Sequence, residues 1–135
     1  MREIKFRGRE QDGFWTYGDL RHEGNITGII ENGIYSWVDS STVGQFTGLY
    51  DCTRSDIYPK GRPIYEGDIL NIDGEFIAEV VYCDGAYELY TKQGPLGKLG
   101  DIAYEYSLAI VDGVIETFSV IGNIHDNPGL LERKP

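Results

Sequence analysis

The sequence predicts a mainly β fold, with antiparallel hairpins and a meander forming a small barrel or sandwich and a short helical turn at the C-terminus; α+β is the alternative. Three observations predict it. Asp-Gly stands at 12/13, 73/74, 84/85 and 112/113 and Asn-Gly at 32/33, each between apolar or alternating runs. These pairs suit type I′ hairpin turns, because both central residues must take positive φ. Turn signals recur at the roughly 8 to 12 residue spacing of small all-β domains. Helical periodicity, by contrast, is confined to one stretch near residues 99–110.

Taken in order, strands are expected at 3–8, 14–20, 26–31, 34–39 and 43–49, forming N-terminal hairpins over residues 1–50. An acidic three-stranded meander follows over 64–91, with strands at 68–72, 75–83 and 86–91. A last strand at 114–121 opens the C-terminal part, 114–135. The Asn32-Gly33 turn sets its hairpin so that Trp37 stands across from Gly28 and Tyr35 across from Ile30, and an aromatic ring over a strand glycine is a recognised packing device.

Two-residue loops at Asp73-Gly74 and Asp84-Gly85 fix the meander register. Ile72 then faces Glu75, Leu70 faces Ile77, Cys83 faces Ala86 and Val81 faces Glu88. One face carries Ile69, Phe76, Ala78, Val80, Tyr82, Tyr87 and Leu89, the expected core. The other mixes Asp68, Glu75, Glu79 and Glu88 with Leu70, Ile77, Val81 and Tyr90. That face is too apolar to be fully solvated, so its own chain or a partner is expected to cover it. Ile77, Glu79, Val81, Glu88 and Tyr90 are accordingly the candidate protein-contact residues.

Leu99, Ile102, Ala103, Tyr106 and Ile110 fall at helical spacing, yet Ile102, Tyr104, Tyr106, Leu108 and Ile110 alternate equally well as a strand. Asn127 is placed to cap a short C-terminal helical turn, with Pro128 at its first position and Leu130 and Leu131 packing back. Residues 51–62 read as an exposed polar loop, and residues 91–100, with three glycines and two lysines, as a connector. Gly67-Asp68 reads as a tight turn in which glycine takes positive φ and aspartate accepts backbone N–H groups.

With 135 residues the chain is expected to fold as a single domain over 1–135. The formal charge of −10 is uneven: residues 64–116 hold eleven acids against Lys92 and Lys98. Such a surface repels phosphate backbones and disfavours general nucleic-acid binding. Lys5, Arg7 and Arg9, alternating along one strand, are the candidate nucleic-acid contacts, against the plainer reading of a charged edge strand. No apolar stretch suggests a membrane span or a signal peptide, so a cytoplasmic location without membrane contact is expected. Cys52 and Cys83 are too few for a disulfide framework, and two thiols are expected in such a compartment, with a single Cys52–Cys83 bridge left open by spacing alone.

Catalytic and metal chemistry find little purchase. His22, His125, Cys52 and Cys83 lack the close spacing of zinc motifs, and nucleophile-elbow, Walker and Rossmann glycine patterns are absent. Asn123, His125, Asp126 and Asn127 form the densest polar cluster and read first as turn and cap chemistry. No catalytic residue, metal or cofactor is assigned.

The segment Val43 to Leu70, with its Q-F-T-G-L-Y-D opening and I-Y-E-G-D-I-L close, resembles the YopX family of bacteriophage and prophage proteins. Arg2 to Arg7 (R-E-I-K-F-R) and Val120 to Leu131 (V-I-G-N-I-H-D-N-P-G-L-L) resemble the same family, so the likeness touches most of the chain. It implies a phage or prophage protein in a bacterial cell and carries no established reaction. The expected function is a non-catalytic interaction module binding a host or phage protein. A regulator contacting or mimicking nucleic acid is the first alternative, and a hydrolase with an unrecognised site the second. The chain's size is compatible with a homo-oligomer.

Overall fold

Four of the five Asx-Gly pairs adopt the double positive φ that their chemistry favours: Asn32 and Gly33 (51° and 80°), Asp73 and Gly74 (53° and 71°), Asp84 and Gly85 (50° and 83°), and Asp112 and Gly113 (54° and 78°). The fifth differs. In the computed structural model, which describes residues 5–107 and 110–133, only Gly13 of the Asp12-Gly13 pair is left-handed, at 94°. Glu10 N–H donates to Phe14 O and Gly13 N–H to Glu10 O, which makes a three-residue loop closed by a left-handed glycine. Residues 3 and 4 of the first expected strand, Leu108 of the undecided segment and residues 134–135 lie outside the described residues.

The fold is mainly β, in two antiparallel sheets that do not close into a barrel, and the chain divides into two compact units between Phe46 and Thr47. In the N-terminal unit β1 (Phe6–Arg9), β2 (Trp15–Glu23), β3 (Ile26–Glu31), β4 (Ile34–Trp37) and the first part of β5 (Asp39–Tyr50) run in the spatial order β4-β3-β2-β1-β5. The expected hairpin register holds, with Gly28 opposite Trp37 and Ile30 opposite Tyr35. The ring over Gly28 is nevertheless that of Tyr35: a Cβ on Gly28 would lie 2.3 Å from it. Trp37, freed from that packing role, is 67% exposed.

In the C-terminal unit the end of β5 pairs with β6 (Pro63–Tyr65), a strand absent from the sequence expectation. The second sheet has the order β10-β9-β8-β7-β11, from β7 (Asp68–Ile72), β8 (Phe76–Cys83), β9 (Ala86–Thr91), β10 (Gly94–Lys98) and β11 (Phe118–Asn123). The expected connector at 91–100 therefore contains an edge strand. Pro95 suits an edge, and the ladder slips between Pro95 and Gly97. Residues 114–117 form a bridge and turn before β11, rather than the start of a strand.

The β8–β9 register follows the turn, with Cys83 opposite Ala86 and Val81 opposite Glu88. The β7–β8 register does not. Glu75 N–H closes the turn on Ile72 O at 2.9 Å, but the ladder resumes at Ile72 opposite Phe76 and continues with Leu70 opposite Ala78. Glu75 thus bulges, and one extra residue exchanges the faces of β7. Leu70 and Ile72 join Ala78, Val80, Leu89, Phe118 and Val120 in the core, and Ile69 turns to the other face. Tyr82, expected inside, is 49% exposed.

The undecided segment is a helix, α1 (Leu99–Tyr106). Its helical spacing puts Leu99, Ile102 and Ala103 into the core, whereas a strand would have sided Tyr104, 71% exposed, with Ile102. A 3₁₀ helix, Pro128–Glu132, is the last element among the described residues and packs against β8. It begins after Asn127, but the Asn127 side chain does not cap it. The amide oxygen turns back toward Gly122 and accepts from Asn123 N–H at 3.4 Å.

Asp51 holds the loop that follows β5. Its carboxylate is fully buried and accepts from Thr53 N–H (2.9 Å), Thr53 Oγ1 (2.7 Å), Arg62 N–H (2.7 Å) and Val120 N–H (2.8 Å). The expected exposed loop at 51–62 is therefore pinned at both ends to one carboxylate, although its middle is exposed. Gly61 makes this approach feasible: its φ is +122°, and a Cβ there would lie 2.0 Å from Asp51 O. Asp68 does similar work in the next turn, where it accepts Tyr65 N–H at 2.7 Å beside left-handed Gly67.

Replacing Asp51 by alanine leaves the buried Val120 N–H and the partly buried Arg62 N–H without their acceptor, at a cost of about 1–3 kcal/mol for a fully buried group and less for an exposed one. Urea unfolding should show Asp51→Ala destabilised by about 2 kcal/mol or more, with Gly61→Ala also destabilised by its backbone clash. Midpoints unchanged from wild type would contradict this anchoring.

Candidate functional site

The expected protein-contact residues occupy one face of the β7–β8–β9 ladder. Ile69, Glu79 and Tyr90 stand in one row, and Val81 and Glu88 in another. The chain's own C-terminus covers part of this face. Ile77 is buried at 8% and Ile69 at 0%, and Gly122, which pairs with Ile69, would place a Cβ 2.7 Å from Leu130 Cδ1. Glu79, Val81, Glu88 and Tyr90 are half-buried. Burial, and then Glu66, push the Glu79 carboxyl above its ordinary range. Glu88 raises both the Cys83 thiol and the Tyr90 phenol.

The candidate nucleic-acid residues lie on an inner strand, since β1 runs between β2 and β5. Arg7 is 5% exposed and its guanidinium sits 4.7 Å from the Trp15 ring centroid. Lys5 and Arg9 are half-buried. The row Lys5, Arg7, Arg9 is thus a partly enclosed set of cations, not a solvated edge.

In the polar cluster near the C-terminus, Asn123 ties the turn together. Asn123 Oδ1 accepts from His125 N–H and Asp126 N–H, both at 2.9 Å, and Asn123 Nδ2 donates to Asp126 Oδ2 at 3.2 Å. His22 lies exposed at the end of β2, 3.3 Å from Thr27 Oγ1. Cys52 and Cys83 are free thiols, distributed on different strands and loops. Among the described residues no three His, Cys, Asp or Glu side chains converge as metal ligands.

The structure does assemble a site that sequence reasoning missed. A cleft of about 620 Å³ opens in the N-terminal unit between the β1–β2 loop and the β4–β5 junction, lined by Arg9 to Gly13 and Trp37 to Asp39. Local chemistry builds both walls. On one side Thr16 Oγ1 donates to Glu10 Oε2, and Phe14 N–H donates to Asp12 Oδ1 at 3.2 Å, within the three-residue loop. On the other side the β1–β5 ladder jumps from Arg7 opposite Gly44 to Arg9 opposite Asp39. Thr42 stabilises this irregularity, accepting from Arg9 N–H at 2.8 Å and donating to Asp39 O at 2.6 Å.

Val38 seats the junction against β1, because Gly8 leaves room for it: a Cβ there would lie 2.6 Å from Val38 Cγ2. Trp37, next in line, therefore projects beside the cleft with most of its indole exposed. The only signal for this in the sequence was Asp12-Gly13 itself, whose loop type decides where Glu10 and Asp12 point.

Two carboxyls offer opposite pH tests. The folded-state pKa of Glu79 is raised, so its contribution to stability is full below the ordinary glutamate value of about 4.3 and is lost as pH rises through the folded value. Glu116 is lowered by its hydrogen bond from Arg54, at 2.6 Å, so its contribution is full at neutral pH and lost in acid. Chemical denaturation across pH should show Glu79→Gln gaining on wild type as pH rises. Glu116→Gln should lose at neutral pH and converge with wild type in acid. Parallel profiles would contradict both assignments.

Among curated proteins no significant match to this chain exists. The family model described as YopX protein matches residues 2–132, which takes in both sheets, the cleft and the Asp51 anchor. The chain belongs to the YopX family.

Proposed function

We propose that the chain is a non-catalytic interaction module that binds another protein of a phage or of its bacterial host, in the cytoplasm, through the open edge of the N-terminal sheet at β4. The observation that carries this reading is the character of that edge. β4 ends the strand order, and its sequence Ile34-Tyr35-Ser36-Trp37 has none of the charges or prolines that commonly blunt edges. Ile34 is 68% and Trp37 67% exposed.

The two-residue turn makes Glu31 and Ile34 a hydrogen-bonded pair, so Ser36 also bonds inward and the backbone groups of Tyr35 and Trp37 point outward. Val38 N–H, next in alternation, donates inward to Thr27 O at 3.0 Å, as this phase requires. An extended segment of another protein can add to such an edge through main-chain hydrogen bonds, with exposed side chains supplying contact area. The alternative of nucleic-acid contact through Lys5, Arg7 and Arg9 has less support, because Arg7 is enclosed against Trp15.

The test is affinity capture from host and phage-infected lysate, identification of the captured protein, and titration of that protein in purified form. A saturable isotherm is expected, weakened at least tenfold by Trp37→Ala and by Ile34→Lys and unchanged by Glu116→Gln. A purified partner that binds all four proteins equally would place its contact elsewhere and defeat the β4 reading.

A further inference from the structure

We infer that Asn32 is a site of spontaneous covalent modification: its side-chain amide is lost by ring closure onto the backbone nitrogen of Gly33, and the isoaspartyl product uncouples β4 from the N-terminal sheet. The reaction needs no partner, so it proceeds whatever docks at β4.

Asparagine is a chemically labile residue, and the residue that follows each of the chain's five asparagines decides which one reacts. Ring closure needs a backbone nitrogen that carries a proton and can approach the side-chain carbonyl. Asn127 precedes Pro128, whose nitrogen carries none. Asn25, Asn71 and Asn123 precede isoleucine, whose branched Cβ crowds the nitrogen beside it. Asn32 precedes glycine, which has no Cβ at all.

Hydrogen bonding separates them in the same way. Asn71 Oδ1 accepts from Gly74 N–H at 2.9 Å, Asn123 Oδ1 from His125 N–H at 2.9 Å and Asn127 Oδ1 from Asn123 N–H at 3.4 Å. Among the described residues the Asn32 side chain has no such tie, and the turn from Glu31 to Ile34 is exposed throughout.

The chemistry balances without an oxidant or cofactor. A base takes the proton of Gly33 N–H, the nitrogen attacks Asn32 Cγ, the Cγ–Nδ2 bond breaks, and the side-chain nitrogen leaves with a proton as ammonia. Water then opens the five-membered imide. Addition at Cγ breaks the new bond and gives aspartate; addition at the main-chain carbonyl breaks the original peptide bond and gives isoaspartate.

In the folded turn Asn32 is left-handed, at φ 51°, so the ring forms when the turn opens. Beyond the chain neighbours of Gly33, no described heavy atom lies within 4 Å of where its Cβ would stand. β4 is four residues long and ends the strand order, so opening breaks one ladder. The turns at Asp73-Gly74 and Asp84-Gly85 join strands paired on both sides, and local opening is easiest where fewest contacts break.

The two products differ in the backbone. Aspartate keeps the length of the loop. Isoaspartate adds a methylene to a two-residue loop whose type I′ geometry sets the pairs Glu31–Ile34 and Ile30–Tyr35, so the register of β4 is lost.

The test is incubation of the full chain in mildly alkaline buffer, followed by peptide mass mapping with fragmentation that distinguishes isoaspartate from aspartate. Asn32 is expected to lose its amide at least tenfold faster than Asn25, Asn71 or Asn123, with isoaspartate exceeding aspartate. Asn32→Gln, whose longer side chain closes such rings poorly, should accumulate no isoaspartyl product in this turn. In the isoaspartyl form, separated by ion exchange, the inward-bonded amides of Ile34 and Ser36 should exchange with solvent deuterium at least tenfold faster, whereas Asn32→Asp keeps wild-type exchange. An Asn32 amide that lasts as long as that of Asn25, or conversion to aspartate alone, overturns the ring closure. Unchanged exchange at Ile34 and Ser36 in the isoaspartyl form overturns the uncoupling of β4.

Discussion

One buried carboxylate organises the C-terminal unit. Asp51 has no exposed surface, and it gathers donors from its own turn, from the far end of the 51–62 loop and from β11, 69 residues away. A charge taken out of water is tolerable only where several donors replace the lost solvent, and this one meets Thr53, Arg62 and Val120 together. The neighbouring backbone closes around it. Tyr50 N–H donates to Gly113 O, Ile115 N–H to Tyr50 O, Asp51 N–H to Arg62 O and Cys52 N–H to Phe118 O, at 2.8–2.9 Å. The end of β5 is thereby stitched to residues 113–118 and to the entry of β6. This anchor lies inside the segment that carries the family likeness, which gives that wording a physical reason: it encodes a junction.

Irregularities do as much as regular ladders in shaping both units. The Glu75 bulge decides which face of β7 enters the core. The jump in the β1–β5 ladder, held by Thr42, sets Asp39 beside Arg9. The left-handed glycine at 13 closes a three-residue loop and turns Glu10 and Asp12 toward the cleft. Each inserts or removes a residue from a two-residue period, and each redirects every side chain that follows. The cleft lies at these places because a perfect ladder has no concave surface to offer.

Much of the fold was legible in the sequence for a local reason. Asx-Gly pairs declare hairpin turns without help from distant residues, so most strands, the β3–β4 register and the β8–β9 register follow from them. The candidate site was much less legible. Pairing alone sets Trp37 across from Gly28, yet Tyr35 covers that glycine from a diagonal position, and which of two rings covers a glycine depends on side-chain direction as well as on pairing. The face with Ile77, Glu79, Val81, Glu88 and Tyr90 also carries Ile69, beside the Gly122 of β11. Leu130 reaches that Gly122 end of the face from a helix that sequence order puts far from β7.

By itself the sequence determined the class of fold, the turn types at four of five Asx-Gly pairs, the tight turn at Gly67-Asp68 and the family. These rest on local chemistry: allowed φ, hydrogen bonds within a few residues, and a recognisable wording. Only the tertiary structure decided the register of β7, the helical state of residues 99–106, the strand at 94–98, the burial of Asp51 and Arg7, and the exposure of Trp37. Those outcomes depend on which distant groups arrive as neighbours. The free energy of burying a charge or exposing an indole is set by that neighbourhood, and a one-residue pattern along the chain does not contain it.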